Sequence, residues 1–259
     1  MAGTTTAIAN KPAWIDLASP DVAASGDFYS KLLGWRIDVS DDPRYGGYAV
    51  AKLGDDDVAG IGPKQRPEAP TAWSIYVGSH DLGDLATRVQ AAGGTVVVPA
   101  FDVGDQGRMA VFQDPAGAFI SAWQPMSMSG FTVEGRNAYS WAELNARGIE
   151  KAVPFYGSVF GWSPKTSPAG REGAPPYTEF QLGGVSIAGA MEMNPMVPAE
   201  VPSYWMAYFG VDDVDDAFRR AVELGGQEML APEDFPGGRF AILSDPQGAA
   251  FGLLKLRER

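Results

Sequence analysis

The chain has no cysteine and a single histidine, His80, in 259 residues. Without cysteine there are no disulfides, no thiolate nucleophile and no zinc–thiolate site. With one imidazole there is no multi-histidine metal centre, and a serine nucleophile has little prospect of a partner base. Long apolar runs are missing too: nothing approaches the roughly 20 residues needed to cross a bilayer. The opening Met1-Ala2-Gly3-Thr4-Thr5-Thr6 lacks the basic and apolar regions of a secretory signal. Positive charge is scarce as well, with Lys+Arg 20 against Asp+Glu 32, a net charge of −12 and a pI near 4.5. Phosphate backbones and anionic lipid surfaces are therefore repelled. These absences predict a soluble cytoplasmic protein with neither nucleic acid nor membrane as partner. Phosphate-binding loops and dinucleotide fingerprints are absent, so no cofactor is expected.

The dominant positive feature is a repeat. Trp14-Ile15-Asp16-Leu17, Phe28-Tyr29 and Leu33-Gly34-Trp35 return 127 residues later as Trp141-Ala142-Glu143-Leu144, Phe155-Tyr156 and Phe160-Gly161-Trp162. A second stretch, Trp73 through Asp114-Pro115-Ala116-Gly117-Ala118, returns as Trp205 through Asp245-Pro246-Gln247-Gly248-Ala249. One domain has been duplicated. With 45% hydrophobic residues, each copy is long enough to bury a core of its own.

Within the first copy, Ala13 to Ala18 reads as a strand, and Ser19-Pro20 supplies a cap and first position for a helix that Gly34 stops. Three short strands follow. After the Pro-rich connector Pro63 to Pro70 the order recurs from Trp73, with a helix from Asp81 and a Gly93-Gly94 stop, so each copy holds two βαβββ modules. Residues Met1 to Lys11 read as a loose arm and Pro125 to Gly130 as a linker. In the second copy, Pro154 predicts a late or kinked helix. The Met- and Pro-rich stretch Ala190 to Pro202 reads as a linker or a flexible lip over a cavity.

The module order, the FY and GW pairs, and the string G-R-x-x-x-x-x-D-P-x-G-A at Gly107 to Ala118 and Gly238 to Ala249 resemble the vicinal oxygen chelate superfamily. That group includes glyoxalase I, extradiol dioxygenases, fosfomycin-resistance transferases and bleomycin-binding proteins. More narrowly, the chain is similar to two-domain glyoxalase-like proteins of actinobacteria that are commonly labelled hydroxylases. The resemblance implies an α+β fold of two tandem domains, residues 12–125 and 131–256, each a cupped mixed sheet. In metal-dependent members, ligands come from the first strand of module one and from the first and last strands of module two. Carried over, those positions are Asp16, Ser74 and Ser121 in the first domain and Glu143, Met206 and Gly252 in the second. The expectation is no metal; the one alternative is a weak carboxylate site pairing Glu143 with Glu192.

Asp16 and Glu143 interrupt apolar strands, and alternation sets each opposite its apolar neighbours. On a concave apolar face such an acid is disfavoured as an anion and suited to proton transfer, which makes both catalytic candidates. The competing reading pairs them with Arg108 or Arg239. Trp73, Trp123 and Trp205 read as core or as walls for a flat guest. Ser74 and Ser121, without a base, read as hydrogen-bond donors or as small residues making room; Met206 completes the wall. The D-P-x-G strings read as turns, and His80 as a solvent-facing residue at a helix start.

Three readings follow as expectations, the blandest of them an interaction scaffold with filled pockets. The first is a metal-independent protein binding a small apolar or aromatic metabolite such as a natural product. The second is an enzyme, either a glyoxalase-like lyase or isomerase or a metal-free tailoring enzyme of secondary metabolism, with Asp16 or Glu143 as acid/base. The expected partner is a small-molecule ligand, and the expected assembly a monomer or homodimer.

Overall fold

The computed structural model describes residues 9–168 and 175–257, so most of the expected N-terminal arm lies outside it. Four βαβββ modules follow one another. The first is β1 (Pro12–Ser19), α1 (Val22–Leu33), β2 (Arg36–Val39), β3 (Ala49–Leu53) and β4 (Asp56–Pro63). The second is β5 (Ala72–Gly78), α2 (Leu82–Ala91), β6 (Thr95–Val103), β7 (Gly107–Gln113) and β8 (Phe119–Pro125). The third is β9 (Tyr139–Ala146), α3 (Ile149–Phe160), β10 (Ser163–Ser167), β11 (Tyr177–Leu182) and β12 (Val185–Glu192). The fourth is β13 (Tyr204–Gly210), α4 (Val214–Glu223), β14 (Gln227–Phe235), β15 (Gly238–Ser244) and β16 (Ala250–Leu256). Each half of the chain forms an eight-stranded mixed sheet, β2-β3-β4-β1-β5-β8-β7-β6 and β10-β11-β12-β9-β13-β16-β15-β14.

Local chemistry accounts for the helix boundaries. Asp21, not Ser19, caps α1: its carboxylate accepts from the Ala24 N–H at 2.9 Å. Ser19 is instead buried, with its hydroxyl 2.8 Å from that of Ser25. Asp81 and Asp213 cap α2 and α4 in the same manner as Asp21. Pro154 does not delay α3, which begins 127 residues after α1 and has the same length, 12 residues. A carboxylate from another strand compensates for its uncapped start. Glu192 accepts from the N–H groups of Gly148 at 3.0 Å and Ile149 at 2.9 Å, where Gly148 has no side chain to offer.

Backbone proximity divides the chain differently from the sheets. One compact unit joins Ile75–Gly130 to Ala142–Trp205, and the other joins Ile15–Ser74 and Phe131–Trp141 to Met206–Arg259. Each unit thus has modules from both halves of the sequence, two and three in one and one and four in the other. The cores are aromatic. In the second of these units Tyr29 stacks on Trp35 with ring centroids 5.5 Å apart, and Trp73, Phe209 and Phe251 pack around it. In the first, Tyr156 stacks on Trp162 at 5.5 Å, flanked by Trp205 and Phe180. Pairs of this kind add about 0.5–1.5 kcal/mol each beyond their buried area.

Candidate functional site

Strand alternation sorts the candidates by face. Ile15, Leu17, Ala142 and Leu144 are fully buried on the helix-covered side, so Asp16 and Glu143 point to the other, inner side. The same parity on β5 and β13 places Trp73 and Trp205 on the helix side and Ser74 and Met206 on the inner side.

Trp73 and Trp205 are therefore core residues and not walls for a guest. The indole N–H of Trp73 donates to the Tyr29 hydroxyl at 2.9 Å, and that of Trp205 to the Tyr156 hydroxyl at 2.7 Å. Both rings are about 5% exposed. Their neighbours Ser74 and Met206 remain inner-face residues, as do Ser121 and Trp123 on β8. Trp123 lies across Gly107, and its N–H donates to the Met128 carbonyl at 2.9 Å.

Arg108 and Arg239 do not pair with Asp16 or Glu143 in the manner the competing reading required. Arg108 binds Asp102 at 2.9 Å, and Arg239 holds Asp215 through two bonds of 2.7 Å. In the strand register Arg108 lies opposite Gln124 and Arg239 opposite Lys255, one position out of step with the inner-face Trp123 and Leu254. The arginines thus belong to the outer side; the ion pair holds the Asp215 carboxyl below and the Arg239 guanidinium above their usual ranges.

Apolar and aromatic side chains gather on the inner face of the fourth module, where Glu233 also falls, cross-strand from Phe240. Met206, Tyr208 and Leu254 are nearly fully buried there, and Phe240 packs on Tyr208 and Phe235. Gly252 has a specific reason to be glycine, since a Cβ would stand 2.0 Å from Tyr208 Cδ1. The tyrosine ring occupies the space that a side chain at Gly252 would fill.

Each of the two acids has polar neighbours on its face. Glu143 is 9% exposed and accepts from the Asn145 amide at 3.4 Å. Tyr204, on the neighbouring strand β13 and on the same face, has its phenol pushed up by burial and then by the Glu143 charge. In the other unit Asp16 pairs with Gly60 in the parallel β1–β4 register. A Cβ on Gly60 would meet Tyr48 Oη at 1.7 Å and Asp16 Cβ at 3.1 Å, so the Tyr48 hydroxyl and Asp16 crowd the same point. Sequence reasoning missed both tyrosines and Asn145. Tyr204 had a signal: it stands directly before the repeated tryptophan, where the first copy has Ala72. Tyr48 had none beyond the glycines opposite it.

The stretch Ala190 to Pro202 is held by one side chain. The Arg147 guanidinium donates to the carbonyls of Val197 at 2.9 Å, Pro198 at 2.6 Å and Val201 at 3.3 Å. This is a fastened connection and not a free linker.

The D-P-x-G aspartates do more than turn the chain. Besides the turn N–H groups, Asp245 Oδ2 accepts from the Tyr29 hydroxyl at 3.0 Å, and Asp114 Oδ2 from that of Tyr156 at 2.8 Å. The tyrosine of each copy is thereby tied to the aspartate of the other.

The comparisons agree with this architecture. The chain belongs to the Glyoxalase/Bleomycin resistance protein/Dioxygenase superfamily, whose profile matches residues 11–121 and 138–253. It is 40% identical to the anthracycline biosynthesis protein DnrV of Streptomyces peucetius, over 95% of this chain and 94% of that one. It is 38% identical to CFP32 of Mycobacterium tuberculosis, a protein carrying the name of a glyoxylase, over 94% of both chains. Among solved structures, the Mn(II)-bound glyoxalase from Novosphingobium aromaticivorans aligns with a TM-score of 0.65 at 16% identity, covering 95% of this chain and 81% of that one. That likeness shows the fold.

The metal that such folds can carry finds no matching donor set here. The carried-over positions offer one carboxylate and two neutral hydroxyls in Asp16, Ser74 and Ser121. In the second copy they offer a carboxylate, a thioether and no side chain in Glu143, Met206 and Gly252. Glu192 cannot join Glu143, because it lies on the helix side with its carboxylate on the start of α3. Among the described residues no group of three or more His, Cys, Asp or Glu side chains could hold a metal ion. The residues present do not fit the group. Among the described residues, too, no helix is long and apolar enough to cross a membrane.

Proposed function

We propose that the chain is a metal-independent binding protein for a small, flat, mostly aromatic metabolite, held against an inner sheet face. The observation that carries this reading is the occupation of the Gly252 position by the Tyr208 ring, with Met206, Leu254 and Phe240 around it. At a position where metal-dependent members of the superfamily place a ligand, this chain packs apolar and aromatic side chains, and sites lined in that way with a few placed polar groups suit flat organic guests. The name of the Streptomyces peucetius relative supports a guest of this kind, because an anthracycline is a fused planar ring system. The acidic net charge argues against anionic guests.

A second reading has a specific observation behind it. Glu143 is a nearly buried carboxylate beside a tyrosine whose proton is held tightly, an arrangement able to exchange a proton with a bound ligand. Under that reading the chain is a metal-free tailoring enzyme or a glyoxalase-like isomerase with Glu143, or Asp16 in the first copy, as acid/base.

Equilibrium dialysis against a panel of planar aromatic polyketides, with mass analysis of the recovered compound, tests the two together. Saturable binding with the compound returned unchanged supports the binding protein. Conversion that disappears in Glu143→Gln or Asp16→Asn supports the enzyme. No binding across the panel overturns the proposal.

A further inference from the structure

Tyr29 and Tyr156 show what burial ordinarily demands of a phenol: each hydroxyl donates to an aspartate and accepts from an indole N–H. Tyr139, the first residue of β9, departs from this. It is 3% exposed, yet its hydroxyl has no hydrogen-bond partner among the described residues. A buried group left unpaired lowers stability. The repeat does not require it either, since the 127-residue offset sets Pro12, the first residue of β1, in the same place. Alternation on β9 turns Tyr139 to the inner side, away from Ala142 and Leu144. The backbone beside it is bound to the end of β13: the Gly210 N–H donates to the Ala138 carbonyl at 3.1 Å, and the Asn137 N–H to the Gly210 carbonyl at 2.7 Å. Tyr208, two residues before Gly210, belongs to the apolar and aromatic face of the fourth module, and that module shares one compact unit with Tyr139. The Tyr139 ring stacks on Phe131, with centroids 4.8 Å and planes 16° apart. Phe131 is half-buried on the connection that precedes β9.

Resting on the binding reading above, we propose that Tyr139 is the polar anchor of the fourth-module face, a phenol left unpaired by the fold so that it donates to the carbonyl oxygen of a neutral, planar aromatic ligand. A phenol can donate or accept, and donation is what this one offers. Burial, and after it the Glu134 charge, push its pKa well up, so the proton stays on the oxygen. Burial and the nearby negative charge also disfavour an anionic acceptor such as a carboxylate or a phosphate. A ring carbonyl accepts without bringing charge, and the rings that carry it suit the aromatic face beside Tyr139. The ligand reaches the hydroxyl past Phe131, a side chain on a connection and not on a strand. The unpaired hydroxyl is then a loss of stability retained for binding.

The test compares the full chain with its Tyr139→Phe variant in equilibrium dialysis against 9,10-anthraquinone and against anthracene, which share three fused rings and differ in the carbonyls. The ratio of the two affinities, quinone to hydrocarbon, should fall about tenfold in the variant, as the loss of one buried hydrogen bond would give. Thermal unfolding without ligand supplies an independent readout. Tyr139→Phe should melt no lower than the wild type, whereas Tyr29→Phe, whose hydroxyl is paired, should melt at least about 2 °C lower. A ratio unchanged in Tyr139→Phe would overturn the anchor while leaving the binding reading intact. Melting lowered in Tyr139→Phe as far as in Tyr29→Phe would overturn it as well, by showing that the hydroxyl is already paired in the folded chain. Binding of neither probe to the wild type would overturn the anchor and count against the binding reading with it.

Discussion

Tyr29 donates a hydrogen bond to Asp245 across 216 positions of sequence, and Tyr156 donates one to Asp114 across 42. Each tyrosine also accepts from a tryptophan, so its single proton has one destination, the aspartate. The D-P-x-G string is therefore a clasp between copies as well as a turn.

Tyr29→Phe and Asp245→Asn should each lower stability by about 1–3 kcal/mol, the cost of leaving a buried polar group unpaired. Asn is no remedy, because its amide also donates and strands the tyrosine proton. The double variant should cost less than the sum of the two, and urea unfolding in a double-mutant cycle measures the difference. Additive effects would show that the bond contributes nothing of its own.

The aspartates carry a pH signature. Burial raises the carboxyls of Asp245 and Asp114 above their ordinary 3.8, despite the tyrosine and backbone donors. The folded chain then keeps these protons to higher pH than the unfolded chain. Their contribution is fully present below the unfolded value and is lost as pH rises through the raised one. Compared with Asp245→Asn, which has no such titration at that position, the wild type should lose relative stability as pH rises above the ordinary 3.8 and through the raised value. A difference in urea midpoints that stays flat over that range would contradict the raised value.

Gly252→Ala should collide with the Tyr208 ring and destabilise by about 1–3 kcal/mol, the usual cost of overpacking. If the fourth module holds the guest, ligand affinity should fall as well, and Met206→Ala should change it while Ser121→Ala does not. Chemical unfolding and calorimetric titration of the same preparations check both statements.

Arg108→Ala and Arg239→Ala should leave ligand affinity unchanged, since both guanidiniums pair with acids on the outer side. A marked loss in either variant would return the arginines to the site.

Much of the fold was legible because it rests on local periodicity and on an internal repeat. The constant spacing of Trp14, Phe28 and Trp35 from Trp141, Phe155 and Trp162 carried the duplication, and strand alternation set Asp16 and Glu143 opposite their apolar neighbours. The site was less legible. A tryptophan in a strand packs equally well on either face, so Trp73 and Trp205 could be sorted only once their N–H partners, Tyr29 and Tyr156, were in place. Arg108 and Arg239 were one register step from the expected face, and nothing local fixes that step. Tyr48 depends on space left by glycines on another strand, and the Tyr29–Asp245 bond on contacts more than two hundred residues apart, neither of which sequence periodicity encodes.

The central claim is that the inner faces bind a planar aromatic guest without metal. The most direct measurement is titration of such a guest, a hydroxylated anthraquinone, into untagged protein dialysed against EDTA, with elemental analysis of the same sample. The expected result is saturable binding with well under one equivalent of Mn, Fe, Ni or Zn. Stoichiometric metal that survives dialysis, or binding that vanishes with EDTA and returns with a divalent ion, would contradict it.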